Sequence, residues 1–194
     1  MAQTTVPAVS AAPRPDPAMS ELLQSVVDTA RAIFGAQASS ILLLEAAADE
    51  LVFEAVSGQG QDFLVGRRFP AGRGIAGWVA ASGEPLVVDD LHDSTSFDRN
   101  IAESTGYVPN ALMAAPLVHG DQVLGVLEVL DPSPQARSSL TELDLLCLFA
   151  RQAAVALNVL TAHARRLSAP DAPDDPSRTE LLRLLSEARR LLEE

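Results

Sequence analysis

Hydrophobic and polar positions along this chain follow two periods. From Met19 to Phe34 the apolar residues Met19, Leu22, Leu23, Val26, Ala30, Ile33 and Phe34 recur at three- and four-residue intervals. That spacing places them on one stripe of a helix. Ser20 is a capping residue type for its start, and Gly35 suits a left-handed stop at its end. The runs SSILLLE and ELVFEAV then read as two strands joined by a turn around Ala48-Asp49. A glycine-rich stretch, 57–74, leads into a short helix near Ile75–Ala81. Pro85–Asp89 reads as a compact strand, and the polar segment 90–109 holds one short helix around Phe97–Ser104.

The strongest β pattern comes next. ALMAAPLV and QVLGVLEVL flank His119-Gly120-Asp121, two apolar runs around a glycine turn, which predicts a hairpin inside a sheet. The last long element is a helix over 141–167, about 40 Å long, opened by the start signal Thr141-x-x-Asp144. Strands grouped between terminal helices predict an α+β domain: a mainly antiparallel sheet of five or six strands with the N- and C-terminal helices packed on one face. The segmentation is a Pro/Ala-rich arm over 1–18, the domain over 19–167, a Pro/Asp-rich linker over 168–178, and an amphipathic helix over 179–194. No internal repeat is present.

Composition narrows the chemistry. The 194 residues carry 14 basic and 26 acidic side chains, a formal charge of −12, and every basic residue is arginine. Without lysine there is no P-loop lysine, no Schiff-base site and no lysine general base. One cysteine, Cys147, leaves no internal disulfide, no CxxC pair and no multi-cysteine zinc site. The acidic balance argues against nucleic acid or an anionic membrane as partner. The first 18 residues hold four prolines and no signal-peptide core, and no uninterrupted apolar run reaches spanning length. A cytoplasmic location is expected.

Several motifs invite chemistry and are better explained locally. Gly72-Arg73-Gly74-Ile75-Ala76-Gly77 matches the dinucleotide fingerprint G-x-G-x-x-G. That fingerprint needs a buried strand before it and a full helix after it, whereas Arg67-Arg68-Phe69-Pro70 precedes it and Ser82-Gly83-Glu84-Pro85 cuts the helix short. A structural turn is expected. The patch Asp89, Asp90, His92, Asp93 and Asp98 could hold a hard cation or serve a metal-dependent enzyme; its spacing matches turns and caps, so no metal site is assigned. His92, His119 and His163 are far apart in the chain, and no nucleophile-elbow or Ser-His-Asp pattern stands out. No catalytic residue is assigned.

Four stretches stand out together: the amphipathic first helix, AGRGIAGWVAASGEPLVVDD (71–90), TGYVPNALMAAPLVHGDQVLGVLEVLD (105–131) and TELDLLCLFARQAAVALNVL (141–160). In combination they resemble the GAF domain family, the sensing and dimerisation module of signalling proteins. They cover nearly all of 19–165 in the family's order. The resemblance implies a PAS- and profilin-related sheet with a ligand pocket between the sheet and a cover segment, here 90–110. Pocket candidates are Trp78, Phe97, Tyr107 and Met113, with Asp89, His92, Asn110 and Glu128 as polar contacts. Covalent bilin attachment and free methionine sulfoxide reductase activity, both family properties, need pocket cysteines that this chain lacks. The family's cyclic-nucleotide signature N-K-…-F-…-D-E is degenerate: Asp131, Pro132 and Leu140 stand at its first three places, and Glu142 and Asp144 keep acidic character. A purine or cyclic-nucleotide sensor is the alternative.

The resemblance also implies parallel helical dimers. Along 141–167, Leu143, Leu146, Ala150, Ala153, Leu157, Leu160 and Ala164 form one stripe, and Leu145, Leu148, Phe149, Val155 and Val159 widen it beyond one face. A helix apolar almost all round needs two partners, so those five residues are the candidate homodimer interface. In 179–194, Leu181, Leu184, Leu185, Ala188 and Leu191 form an apolar seam, expected to dock on its own domain, on the dimer mate or on a partner protein. The sequence therefore points to a stand-alone, non-enzymatic signalling module with a non-covalent ligand whose identity it does not name.

Overall fold

A computed structural model describes residues 16–91, 98–133 and 140–168. Helix α1 spans Pro17–Phe34, β1 Ala38–Glu45, β2 Glu50–Gly58, β3 Arg68–Pro70, α2 Gly74–Ser82, β4 Leu86–Val88, α3 Arg99–Ser104, β5 Leu112–His119, β6 Gln122–Leu130 and α4 Leu140–Ser168. The sheet order is β3-β2-β1-β6-β5-β4, with every neighbouring pair antiparallel. The expected α+β architecture, hairpins included, is present. Two compact units are distinguished, and the described residues up to Asn158 belong to the first and those from Val159 to Ser168 to the second. The first contains the sheet; the described part of the second is the end of α4.

Local signals set the element ends, with two departures from expectation. Helix α1 starts two residues before the predicted domain edge, because Asp16, not Ser20, caps it: the Asp16 carboxylate accepts from Ala18 N–H at 3.0 Å. Pro17 then occupies the first turn, where its missing N–H costs nothing. The helix stops at Gly35, in the left-handed region with φ 57°. The second departure is β3. The stretch Arg68-Phe69-Pro70 lacks a buried pattern, yet it pairs with β2 as an edge strand, where proline and arginine are tolerated because one side is unpaired.

Strand alternation divides the core into two layers. Leu127 and Val129 of β6, Met113, Ala115 and Leu117 of β5, and Ile41 of β1 face α1 and α4, packing with Leu23, Val27, Ala30, Phe34, Leu146, Ala150 and Leu157. Val126 of β6, Leu112 and Ala114 of β5, and Leu42 of β1 face the other way, towards Ile75 and Val79 of α2. A bulge where β1 meets β2 leaves Glu54 unpaired between Phe53, opposite Leu42, and Ala55, opposite Ile41. Both Phe53 and Val56 thereby reach the α2 side. By length and composition alone, Glu142–His163 of α4 is apolar enough to cross a membrane; in this fold its buried stripe rests on the sheet.

Candidate functional site

A cavity of about 110 Å³ lies on the α2 side of the sheet. The sheet supplies its floor. Ser40 and Leu42 of β1, Leu51, Phe53 and Val56 of β2, Leu112 of β5, and Glu128 and Leu130 of β6 all line it. The start of α2 (Arg73, Gly74, Ile75, Ala76) forms one wall, and Asp98, Ala102, Thr105, Tyr107 and Pro109 form the cover. Most of this lining is apolar, with a few polar groups converging on it, the usual composition of a small-ligand site.

Glu128 is the most unusual of those groups. Its carboxyl is buried on the floor, and its only side-chain hydrogen bond among the described residues comes from the Ser40 hydroxyl, at 3.3 Å. Burial disfavours the charged form and pushes the carboxyl up to about 7, against a smaller opposing effect of Ser40. Ser39 adds a hydrogen bond to the Glu128 backbone carbonyl at 2.9 Å, which fixes the strand there. Arg73 at the head of α2 forms an ion pair with Asp98 of the cover, so these two lining charges compensate each other. Phe53 and Phe69 meet edge to face, with centroids 5.6 Å apart, and both line the cavity.

The cover is held by polar ties at both ends. Asp131 sits just past β6 in a left-handed conformation, φ 47°, that aspartate tolerates better than most residues. Its carboxylate accepts the backbone N–H of Asn110 and of Ala111, each at 2.9 Å, and the Tyr107 hydroxyl. Burial and then the Asp131 carboxylate raise the Tyr107 phenol above its usual value. At the other end the Arg67 guanidinium donates to the Ser104 carbonyl at 2.8 Å and lies 5.3 Å over the Phe63 ring. Thr105 closes the turn after α3 by donating to the Ala102 carbonyl at 2.6 Å.

The structure divides the sequence-predicted pocket residues. Tyr107 and Glu128 line the cavity. Met113 does not: it is opposite Val129, one residue out of phase with Glu128, so it is buried against the helices. Trp78 is 43% exposed on the outer side of α2. Asn110 is exposed and contributes its backbone N–H to Asp131 rather than its side chain to the cavity. Asp89 is exposed just after β4. His92 and Phe97 lie outside the described residues, as does the partner seam Leu181, Leu184, Leu185, Ala188 and Leu191. Of the interface candidates, Leu148 (58% exposed), Val155 (47%) and Val159 (60%) face outwards, whereas Leu145 and Phe149 are half-buried and pack on the core.

Sequence reasoning missed Ser40, Phe53, Arg73 and the Asp98 partnership. The signal for Ser40 is the strand alternation, which turns Ser40 to the cavity together with Leu42. Among the described residues no group of His, Cys, Asp and Glu could hold a metal ion; Asp98 of the acidic patch is instead the partner of Arg73. The G-x-G-x-x-G run has a steric explanation at its last glycine. A Cβ at Gly77 would stand 2.3 Å from the Ala71 carbonyl oxygen, so glycine there lets α2 close on its own leading loop. Cys147 is on α4, half-buried beside the helix-side core, and burial raises its thiol above the usual value.

The sequence model of the GAF domain matches residues 18–157. The chain belongs to the GAF domain family. Among solved structures it is similar to the GAF domain of a phosphoenolpyruvate-protein phosphotransferase from Coxiella burnetii, with TM-score 0.66 and 22% identity over 80% of this chain and 89% of that one. At that identity the likeness concerns the fold. Among curated proteins it is similar to a probable 3',5'-cyclic phosphodiesterase of Caenorhabditis elegans, 29% identical over 76 residues, 39% of this chain and 10% of the relative. It is also similar to the cone cGMP-specific 3',5'-cyclic phosphodiesterase subunit alpha' of Mus musculus, 41% identical over 59 residues, 30% of this chain and 7% of the relative. The chain thus matches a tenth or less of the length of these relatives.

Proposed function

We propose that this GAF domain is a non-enzymatic regulatory module: it holds a small ligand between the sheet and the 98–110 cover, and it associates as a homodimer and contacts a signalling partner through its terminal helices. The observation that carries this reading is a cavity of about 110 Å³ with an apolar lining and one buried, nearly unpartnered carboxyl, Glu128. An ion pair and the Asp131 cluster hold the cover over it. A ligand seated there touches both the floor strands and the cover, so occupancy favours the closed arrangement by its difference in affinity for the two states. The exposed pair Leu148 and Val155, seven residues apart on α4, supports the dimer, because seven-residue spacing keeps side chains on one seam.

Purine or cyclic-nucleotide sensing is the second reading, and the partial identity to a cGMP-specific phosphodiesterase subunit supports it. Against it, Asp131, at the first place of the degenerate signature, is already engaged by the cover. Native mass spectrometry of freshly purified protein tests both. The expected result is a dimer with an additional small-molecule mass; a nucleotide mass would favour the second reading. A bare monomer that gains no thermal stability across a metabolite panel would overturn both.

A further inference from the structure

The floor of the cavity carries a charge that the rest of its lining does not answer. Of the titratable groups lining it, Arg73 and Asp98 are paired with each other, and the Tyr107 hydroxyl is committed to Asp131. Glu128 remains. Ser40 reaches one of its oxygens at 3.3 Å, and the other has no hydrogen-bond partner among the described residues. A buried carboxyl left in this state is costly, because it has lost water without gaining donors. Leu42, Leu112 and Leu130 line the cavity with it and offer it no donor. The cavity, about 110 Å³, is of the same scale as the ~150 Å³ void known to take one benzene.

We infer that this cavity takes a small planar cation of a single ring, presenting two adjacent N–H donors of an amidine-type edge to the Glu128 carboxylate. The inference rests on the ligand-binding reading above and specifies the chemistry of its ligand. A carboxylate accepts two parallel N–H bonds from such an edge, the strongest hydrogen-bonded ion pair available to it. The apolar walls Leu42, Leu112 and Leu130 cover the ring faces and exclude water. Glu128 is the specificity residue, since a ring lacking the donor edge leaves it unsatisfied. The cation binds only the carboxylate form, so the proton that Glu128 holds below about pH 7 leaves to the buffer on binding.

The test uses two rings of equal heavy-atom count, 2-aminoimidazole and benzene, titrated calorimetrically into the full chain and its Glu128→Gln variant. The expected result is that 2-aminoimidazole binds the parent more tightly than benzene does, and that Glu128→Gln weakens it at least tenfold while benzene binding stays level. In the parent, buffers of different ionisation enthalpy should report release approaching one proton at pH 6 and steadily less as pH rises through about 7. This second measurement needs no variant, so it stands if the substitution impairs folding. Benzene binding without a preference for the cation, or cation binding without proton release, overturns the inference and leaves the ligand-binding reading intact. Binding of neither ring overturns both.

Discussion

The two faces of the central sheet are made of alternate residues of the same strands, and they are finished in opposite ways. On β6, Leu127 and Val129 meet α1 and α4 in a closed apolar layer, while Glu128 and Leu130 face a cavity. On β5, Met113 is sealed against the helices and Leu112 lines the cavity. The helix face is packed by contacts whose loss leaves voids. The cavity face retains a void, a buried carboxyl and a cover tied down by a small set of polar bonds. Stability is concentrated on one side and adjustable structure on the other, as expected where a binding region is drawn from the less stable parts of a fold.

Truncation across the sheet tests that division most severely. Phe34, fully buried at the end of α1, should cost about 3–5 kcal/mol when changed to alanine, by lost transfer energy plus a residual cavity. Leu130 lines an existing space and is only half-buried, so Leu130→Ala should cost about 1–2 kcal/mol, mostly transfer energy. Urea unfolding of both variants decides it. Equal costs would mean that the cavity face is as tightly packed as the helix face.

Glu128 gives the next largest effect, and it depends on pH. Burial raises its carboxyl in the folded chain from 4.5 to about 7. The native state therefore binds more protons than the unfolded state between these values, and unfolding free energy falls as pH rises through that window. The contribution is fully present below about pH 4.5 and lost above about 7, a swing on the order of 3 kcal/mol. Glu128→Gln should flatten that part of the profile and leave the protein more stable than the parent at pH 8. An unchanged profile would show that the carboxyl gains water or a donor in solution.

The cover supplies a smaller effect. Asp131→Ala removes the acceptor for the Asn110 and Ala111 N–H groups and for the Tyr107 hydroxyl, and puts alanine at φ 47°. About 2 kcal/mol should be lost, with amide exchange accelerated over 105–111 and little changed in β5 and β6. Uniform acceleration across the sheet would show that the cover and the core open together.

Much of this division is written in the strand pattern. The alternation in ALMAAPLV and QVLGVLEVL determines which residues share a face, and the four motif stretches identify the family because their spacings match the fold's elements. Phase between strands is harder to see. Glu128 and Met113 both look like pocket residues singly, and only the pairing of Ala114 with Glu128 shows that Met113 must turn away. Edge strand β3 is not legible in the sequence because three residues with one paired side carry no burial period. The Arg73–Asp98 pair joins residues far apart in the chain, and no local pattern encodes such a meeting. The Asp16 cap is legible as Asp-Pro at a helix start, although the apolar stripe begins only at Met19.

The smallest effect on the fold should come from the outer face of α4, and it tests whether the helix face is closed on both of its sides. Leu148 and Val155 are exposed while Leu146, Ala150 and Leu157 on the same helix are buried. Exposed aliphatics in a monomer contribute little, so Leu148→Glu with Val155→Glu should change unfolding free energy by no more than about 0.5 kcal/mol per site in a monomeric fold. If the face is a dimer seam, the same pair of changes buries two charges against their copies, and the mass by light scattering should halve. Tm would then lose its dependence on protein concentration, because mass action no longer favours the folded dimer. A parent already monomeric at high concentration would remove the homodimer from the proposal while leaving the cavity side of the comparison untouched. The two faces would then differ in packing but not in self-association.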